Sequence, residues 1–246
     1  MDYSWKPIIV EGVAHSGTRV LVQILSTLGS QGGDYDNPWK ENKFFLDLHK
    51  SLISKLSDRG WTQTIYDLQF VREFRDDLKF KDHIQSLVRT ELHNHFPSCS
   101  TTPWHWKCPT SGLFERTWVE VFPEAYYIHI VRDPLECTES FLRRNQFKNM
   151  REGVEFCGRM DNRITEVPKK NYLKVRYENL SNEIERIQAF VPLEFDQRKI
   201  ELAKSLIRRD SRYWYKDKTL RQNFLNLRAK LLCFLSSRSL SSQDGT

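Results

Sequence analysis

The stretch "PIIVEGVAHSGTRVLVQIL", residues 7 to 25, limits the folds open to this chain more than any other segment. Ile8 to Val10 form a short β-branched run bounded by Pro7 and Gly12, the composition of a central strand in a parallel sheet. From Thr18 onward, apolar Val20, Leu21, Ile24, Leu25 and Leu28 recur at helical spacing, and Gly29 supplies a stop. Between strand and helix lies a turn of small residues that holds Gly12 and Gly17. Such a turn is an anion site by geometry, because unpaired N–H groups converge at the helix N-terminus and the helix dipole favours negative charge.

The rest of the chain continues the alternation. "WHWKCP" reads as a short strand, residues 111 to 121 as a helix closed by Pro123, and "AYYIHIV" as the strongest strand. "RDPLECTESFLRRNQF" starts a helix with Pro134 in its first turn, and "NYLKVRYENL" is a fourth strand before a helix 183–190 capped by Ser181 or Asn182. Residues 44 to 96 read as mostly helical with a break near "SDRGWTQT", and "GSQGGDYDNPWKEN" as a surface loop. The expected fold is therefore α/β: three layers, α/β/α, with a central mostly parallel sheet covered on both faces. One domain is expected over residues 1–236, ending in a basic amphipathic helix 217–235 that packs on it, with residues 237–246 as a disordered tail.

Composition narrows the partners. Hydrophobic residues at 39% and charged residues at 28% suit a globular chain, and the formal net charge of +6 suits an anionic ligand while being too mild for nucleic acid. Five scattered cysteines, Cys99, Cys108, Cys137, Cys157 and Cys233, have neither C-x-x-C nor metal-like spacing and read as reduced thiols. The start "MDYSWKPIIV" lacks the features of a secretory leader, and no window approaches the roughly 20 apolar residues needed to span a bilayer. A cytoplasmic protein without stable membrane insertion is the expectation.

Gly12 and Gly17 are spaced as in the phosphate-binding G-x-x-x-x-G-K-[S/T] loop, but Thr18 stands where that loop has lysine. This weakens ordinary kinase or GTPase chemistry. "GVAHSGTRVLVQIL" instead resembles the 5′-phosphosulfate loop of the PAPS-dependent sulfotransferases, of bacterial and carbohydrate type, in which a basic residue precedes S-G-T. Three further segments resemble that family in the same order: "HWKCPTSGLFERTWVEVFPEAYYIHIVRDP", then "RDPLECTES" with Ser140 eight residues after Arg132, then "YLKVRYENL".

The resemblance implies a P-loop-like fold and transfer of a sulfuryl group from PAPS to a hydroxyl or amine of a carbohydrate or small-metabolite acceptor, with no metal. It implies that Ser16, Gly17, Thr18 and Arg19 hold the 5′-phosphosulfate, and that Arg132 and Ser140 hold the 3′-phosphate. His15 takes the place of the cation beside the bridging oxygen, and Lys107 is a second cation. The general base is Glu41, from "KENKFF", or His105, near the end of the "WHWKCP" strand. A basic cluster in "RRDSRYWYKDK" resembles a loop that closes over nucleotide. A P-loop kinase or hydrolase, and a nucleotide-binding relative without catalysis, are the alternatives.

Overall fold

A computed structural model describes residues 6–32, 40–58, 61–95, 103–163, 169–194 and 196–207. The chain divides into two units, Met1–Ile207 and Arg208–Thr246, and every described residue belongs to the first. The expected helix 217–235, the basic cluster 208–218 and the tail 237–246 lie outside the described residues.

Four parallel strands form the sheet: β1 (Ile8–Glu11), β2 (His105–Lys107), β3 (Tyr126–Val131) and β4 (Tyr172–Arg176), in the order β2-β1-β3-β4. The α/β expectation therefore holds, with every pairing parallel. β1 is central and buried along its whole length, as its unbroken apolar run requires. β4 lies at the edge and alternates, with Leu173 and Val175 inside and Lys174 and Arg176 outside.

The helices are α1 (Thr18–Leu28), α2 (Lys43–Ser54), α3 (Trp61–Ile65), α4 (Leu68–Glu73) and α5 (Lys81–His95), followed after β2 by α6 (Glu115–Val121). α7 (Pro134–Leu142) and α8 (Met150–Asp161) follow β3, and α9 (Leu180–Phe190) and α10 (Gln197–Ser205) follow β4. One face of the sheet, carrying Ile8, Val10, Ile128 and Ile130, packs against Leu21, Ile24 and Leu25 of α1, Ile184 and Ile187 of α9, and Ile200 of α10. The other face packs against helices from α2 to α8 around an aromatic group in which the Phe45 ring stacks on Trp106 at 4.0 Å. α7 and α8 approach closely at Gly153, where a Cβ would lie 2.3 Å from Thr138 Cγ2.

Three details differ from the sequence reading. Residues 111–113 form a 3-10 turn instead of the first turn of α6, because Ser111 is tied to the Cys108 carbonyl through both its N–H and its hydroxyl. α9 begins at Leu180, not 183, since a 3-10 turn at Tyr177–Asn179 runs straight into it and Leu180 is fully buried. α8 and α10 had no counterpart in the periodicity.

Glu11 ends β1 with its side chain fully buried and neither carboxyl oxygen hydrogen-bonded among the described residues. Burial, and secondarily the charge of Glu115 on α6, hold this carboxyl well above the usual range. The folded state therefore keeps a proton that the unfolded chain releases near pH 4.3, so stability falls as pH rises from there toward the raised native value. Glu11→Gln is expected to remove this slope, which can reach about 1.4 kcal/mol per pH unit. Urea midpoints of the two proteins at several pH values test this, and parallel curves would exclude a buried titrating Glu11.

Candidate active site

Because the strands run parallel, the turn after β1, the end of β2 and the end of β3 share one edge of the sheet, where ligands of open α/β sheets bind. Two glycines shape the turn. Gly12, at φ 148°, sits where a Cβ would come within 2.5 Å of the Ile130 carbonyl oxygen, and Gly17, at φ 106°, where a Cβ would lie 2.3 Å from the Tyr177 ring. The N-cap of α1 is Gly17, which has no side chain, so among the described residues the N–H groups of its first turn, including those of Thr18 and Arg19, have no capping partner. The Ser16 N–H is committed to closing the turn on Val13 O at 3.0 Å, and its buried hydroxyl has no partner among the described residues. Thr18 is buried, and the Arg19 side chain is exposed.

His15 takes the left-handed conformation, φ 71°, which is uncommon for a residue with a side chain. Its ring meets Phe141 of α7 edge-on at 4.7 Å, and Nε2 lies 3.4 Å from Gln146 Oε1. Burial pushes the imidazole down to about 4; the Gln146 hydrogen bond opposes this, and the charges of Arg144, Arg132 and Lys107 add to it.

Arg132 follows β3 directly and clamps the turn. Its Nη1 donates to the His15 carbonyl at 3.2 Å, its Nε and Nη2 donate to Glu136 Oε2 at 2.9 and 2.6 Å, and its guanidinium lies 4.7 Å from the Tyr177 ring centroid. Asp133 caps α7 through Leu135 N–H. Ser140 lies half-buried on α7, two turns beyond Arg132.

Lys107 ends β2 and donates to Glu41 Oε1 at 2.9 Å, with side chains only 4% and 11% exposed. Glu41 immediately precedes Asn42, the N-cap of α2. Burial and the charge of Glu41 push the neighbouring Cys108 thiol up to about 12. The structure thus brings His15, Arg132, Lys107 and Glu41 together. It leaves out His105, which faces Ile8 at the opposite end of β2 and is fully buried, Nδ1 2.8 Å from Ser30 Oγ and Nε2 3.5 Å from Ser26 Oγ of α1. Burial lowers its imidazole to about 3.

Three neighbours went unnoticed in the sequence: Tyr66, Arg144 and Gln146. Gln146 is delivered by a Schellman turn ending α7, in which Asn145 is left-handed at φ 54°, Gln146 N–H bonds Phe141 O and Asn145 N–H bonds Leu142 O. The available signal was Asn145 as a helix-stopping residue after "FLRR". Among the described residues, no group of three or more His, Cys, Asp or Glu is placed to hold a metal ion.

The sequence pattern of the sulfotransferase family matches residues 7–197. The chain belongs to that family. Among solved structures, this sulfotransferase is similar to the sulfotransferase domain from the Synechococcus PCC 7002 olefin synthase, at 19% identity over 90% of this chain and 85% of that one, with a TM-score of 0.52. It is also similar to the sulfotransferase domain from the curacin biosynthetic pathway, at 17% identity over 79% of this chain and 76% of that one, with a TM-score of 0.51. Both likenesses establish the fold. No curated protein matches, and no described helix is long and apolar enough to cross a membrane.

The Lys107–Glu41 pair should behave as a buried ion pair. Lys107→Met or Glu41→Leu alone is expected to cost about 3–5 kcal/mol by stranding the other charge, and the double variant at least about 1 kcal/mol less than the sum. Additive losses in chemical denaturation would show that the two charges are not coupled.

Proposed function

We propose that this sulfotransferase moves a sulfuryl group from PAPS to a hydroxyl or amine of a carbohydrate or small-metabolite acceptor. One observation carries the reading: an uncapped helix N-terminus behind a glycine turn stands beside His15, Arg132 and Lys107 at one edge of the sheet. That is a site for a ligand with several negative charges and no lysine inside the loop. PAPS supplies the activated sulfuryl group; the chain supplies position and charge.

The amides of Gly17, Thr18 and Arg19 and the Thr18 hydroxyl bind the 5′-phosphosulfate, while Ser16 contributes its hydroxyl, its N–H being used within the turn. Arg132 and Ser140 bind the 3′-phosphate; Arg132 presents its remaining N–H groups there while Glu136 holds its Nε edge. His15 and Lys107 offset the charge that collects on the bridging oxygen as the sulfur leaves it. Glu41 takes the proton of the acceptor as the new bond to sulfur forms, once Lys107 turns from Glu41 to the departing oxygen. Glu41 is the better base than His105, whose ring is held among Ser26, Ser30 and the start of β2.

Thermal shift in EDTA tests the donor: adenosine 3′,5′-bisphosphate is expected to stabilise the protein more than ATP does, and Arg132→Ala to weaken that binding by about 1.5–3 kcal/mol. Preference for ATP, or no response to either, would remove the proposal. With labelled PAPS and an acceptor panel, Glu41→Gln is expected to lower kcat by about 10²–10⁴-fold with little change in bisphosphate affinity; equal loss from His105→Gln and none from Glu41→Gln would reverse the assignment of the base.

A further inference from the structure

The Schellman turn after α7 places the Gln146 amide between two other side chains. Its Oε1 faces His15 Nε2 at 3.4 Å, and Tyr66, just after α3, is its other polar neighbour. An amide oxygen only accepts, so this contact places the hydrogen of a neutral His15 on Nε2. Nδ1 of the neutral ring then carries a lone pair and no hydrogen. A ring in this tautomer cannot give Nδ1–H to an anion in the turn; it must first gain a second proton.

The surroundings keep that proton away until an anion arrives. Around the ring stand Arg132 from the end of β3, Arg144 from the turn after α7 and Lys107 from the end of β2, with Phe141 against its edge. The carboxylates nearby are already shared: Glu41 holds Lys107, and Glu136 holds Arg132. Burial, and to a smaller extent these cations, hold the imidazole down at about 4. A ligand carrying two or more negative charges in the turn reverses the balance.

We propose that Gln146 is a positioning residue that fixes the His15 tautomer and thereby makes binding of the phosphosulfate donor take up one proton at His15. The proposal rests on the donor reading above. It assigns to this site an imidazolium formed on binding, where a lysine would be charged in advance.

The experiment measures affinity for adenosine 3′,5′-bisphosphate from pH 5 to 8 by calorimetry, for wild type and for His15→Arg, which carries a permanent cation. The phosphates of the free ligand titrate near pH 6, and that contribution is common to both proteins and cancels in the ratio. The ratio of wild-type to His15→Arg affinity is expected to rise as pH falls, approaching tenfold per pH unit. Buffers of different ionisation enthalpy should report a matching proton uptake by the wild type alone. Gln146→Glu, which sets a carboxylate against Nε2 and charges the ring before binding, is expected to shift the rise to higher pH and shrink the uptake. A ratio independent of pH would overturn the proposal, as would a Gln146→Glu profile identical to that of the wild type when both bind the ligand. Failure of wild type and His15→Arg alike to bind would remove the donor reading, and this inference with it.

Discussion

Arg132 joins three parts of the chain that are distant in sequence. One edge of its guanidinium holds the His15 carbonyl in the turn after β1, another holds Glu136 on α7, and its face lies on Tyr177 beyond β4. Tyr177 in turn fills the space that a side chain at position 17 would need. The left-handed His15, the glycine turn and the open end of α1 therefore depend on one cation whose position is set by the parallel pairing of β1 with β3. Remove that tether, and the strained turn loses the support that makes its conformation affordable.

The cations of the site would repel one another without their carboxylates. Glu41 balances Lys107 and Glu136 balances Arg132, so the cluster is assembled from neutralised pairs and not from bare charge. Such pairs are costly to bury and more costly to break. His15 solves the same problem differently, by remaining neutral among Arg144, Arg132 and Lys107.

The parts of the fold legible in the sequence are those whose signal is local. The strand–turn–helix at β1, the strand before Arg132 and Pro134 at the head of α7 each carry their own periodicity or cap chemistry, and all three formed as expected. α10 buries only Ile200 and Ala203, too few apolar positions to stand out, and α8 has Gly153 on its buried face, where close approach to Thr138 replaces the usual apolar side chain. Within the site, Arg132 and Lys107 were legible because one directly follows β3 and the other ends β2. Gln146 was not, since its meeting with His15 is made by the turn after α7, and nor was Tyr66, which the packing of α3 brings to the Phe141 ring that also meets His15. His105 shares a strand with Lys107, and the sequence could not say that its ring belongs to the α1 layer at the other end of that strand.

Tyr177 closing over Gly17 also bears on how the protein is made. The turn after β1 is translated well before β3 and β4 and before the Tyr177 ring that packs against it. The N-terminal segment has its own strand and helix propensities, yet the finished contour of the turn waits for β3, β4 and Tyr177 to dock. Until those elements are made, β1 lacks its β3 partner and the turn lacks the ring that shapes it. The shape of the turn therefore depends on the β3–β4 half of the sheet being docked, and a partly assembled sheet does not present it.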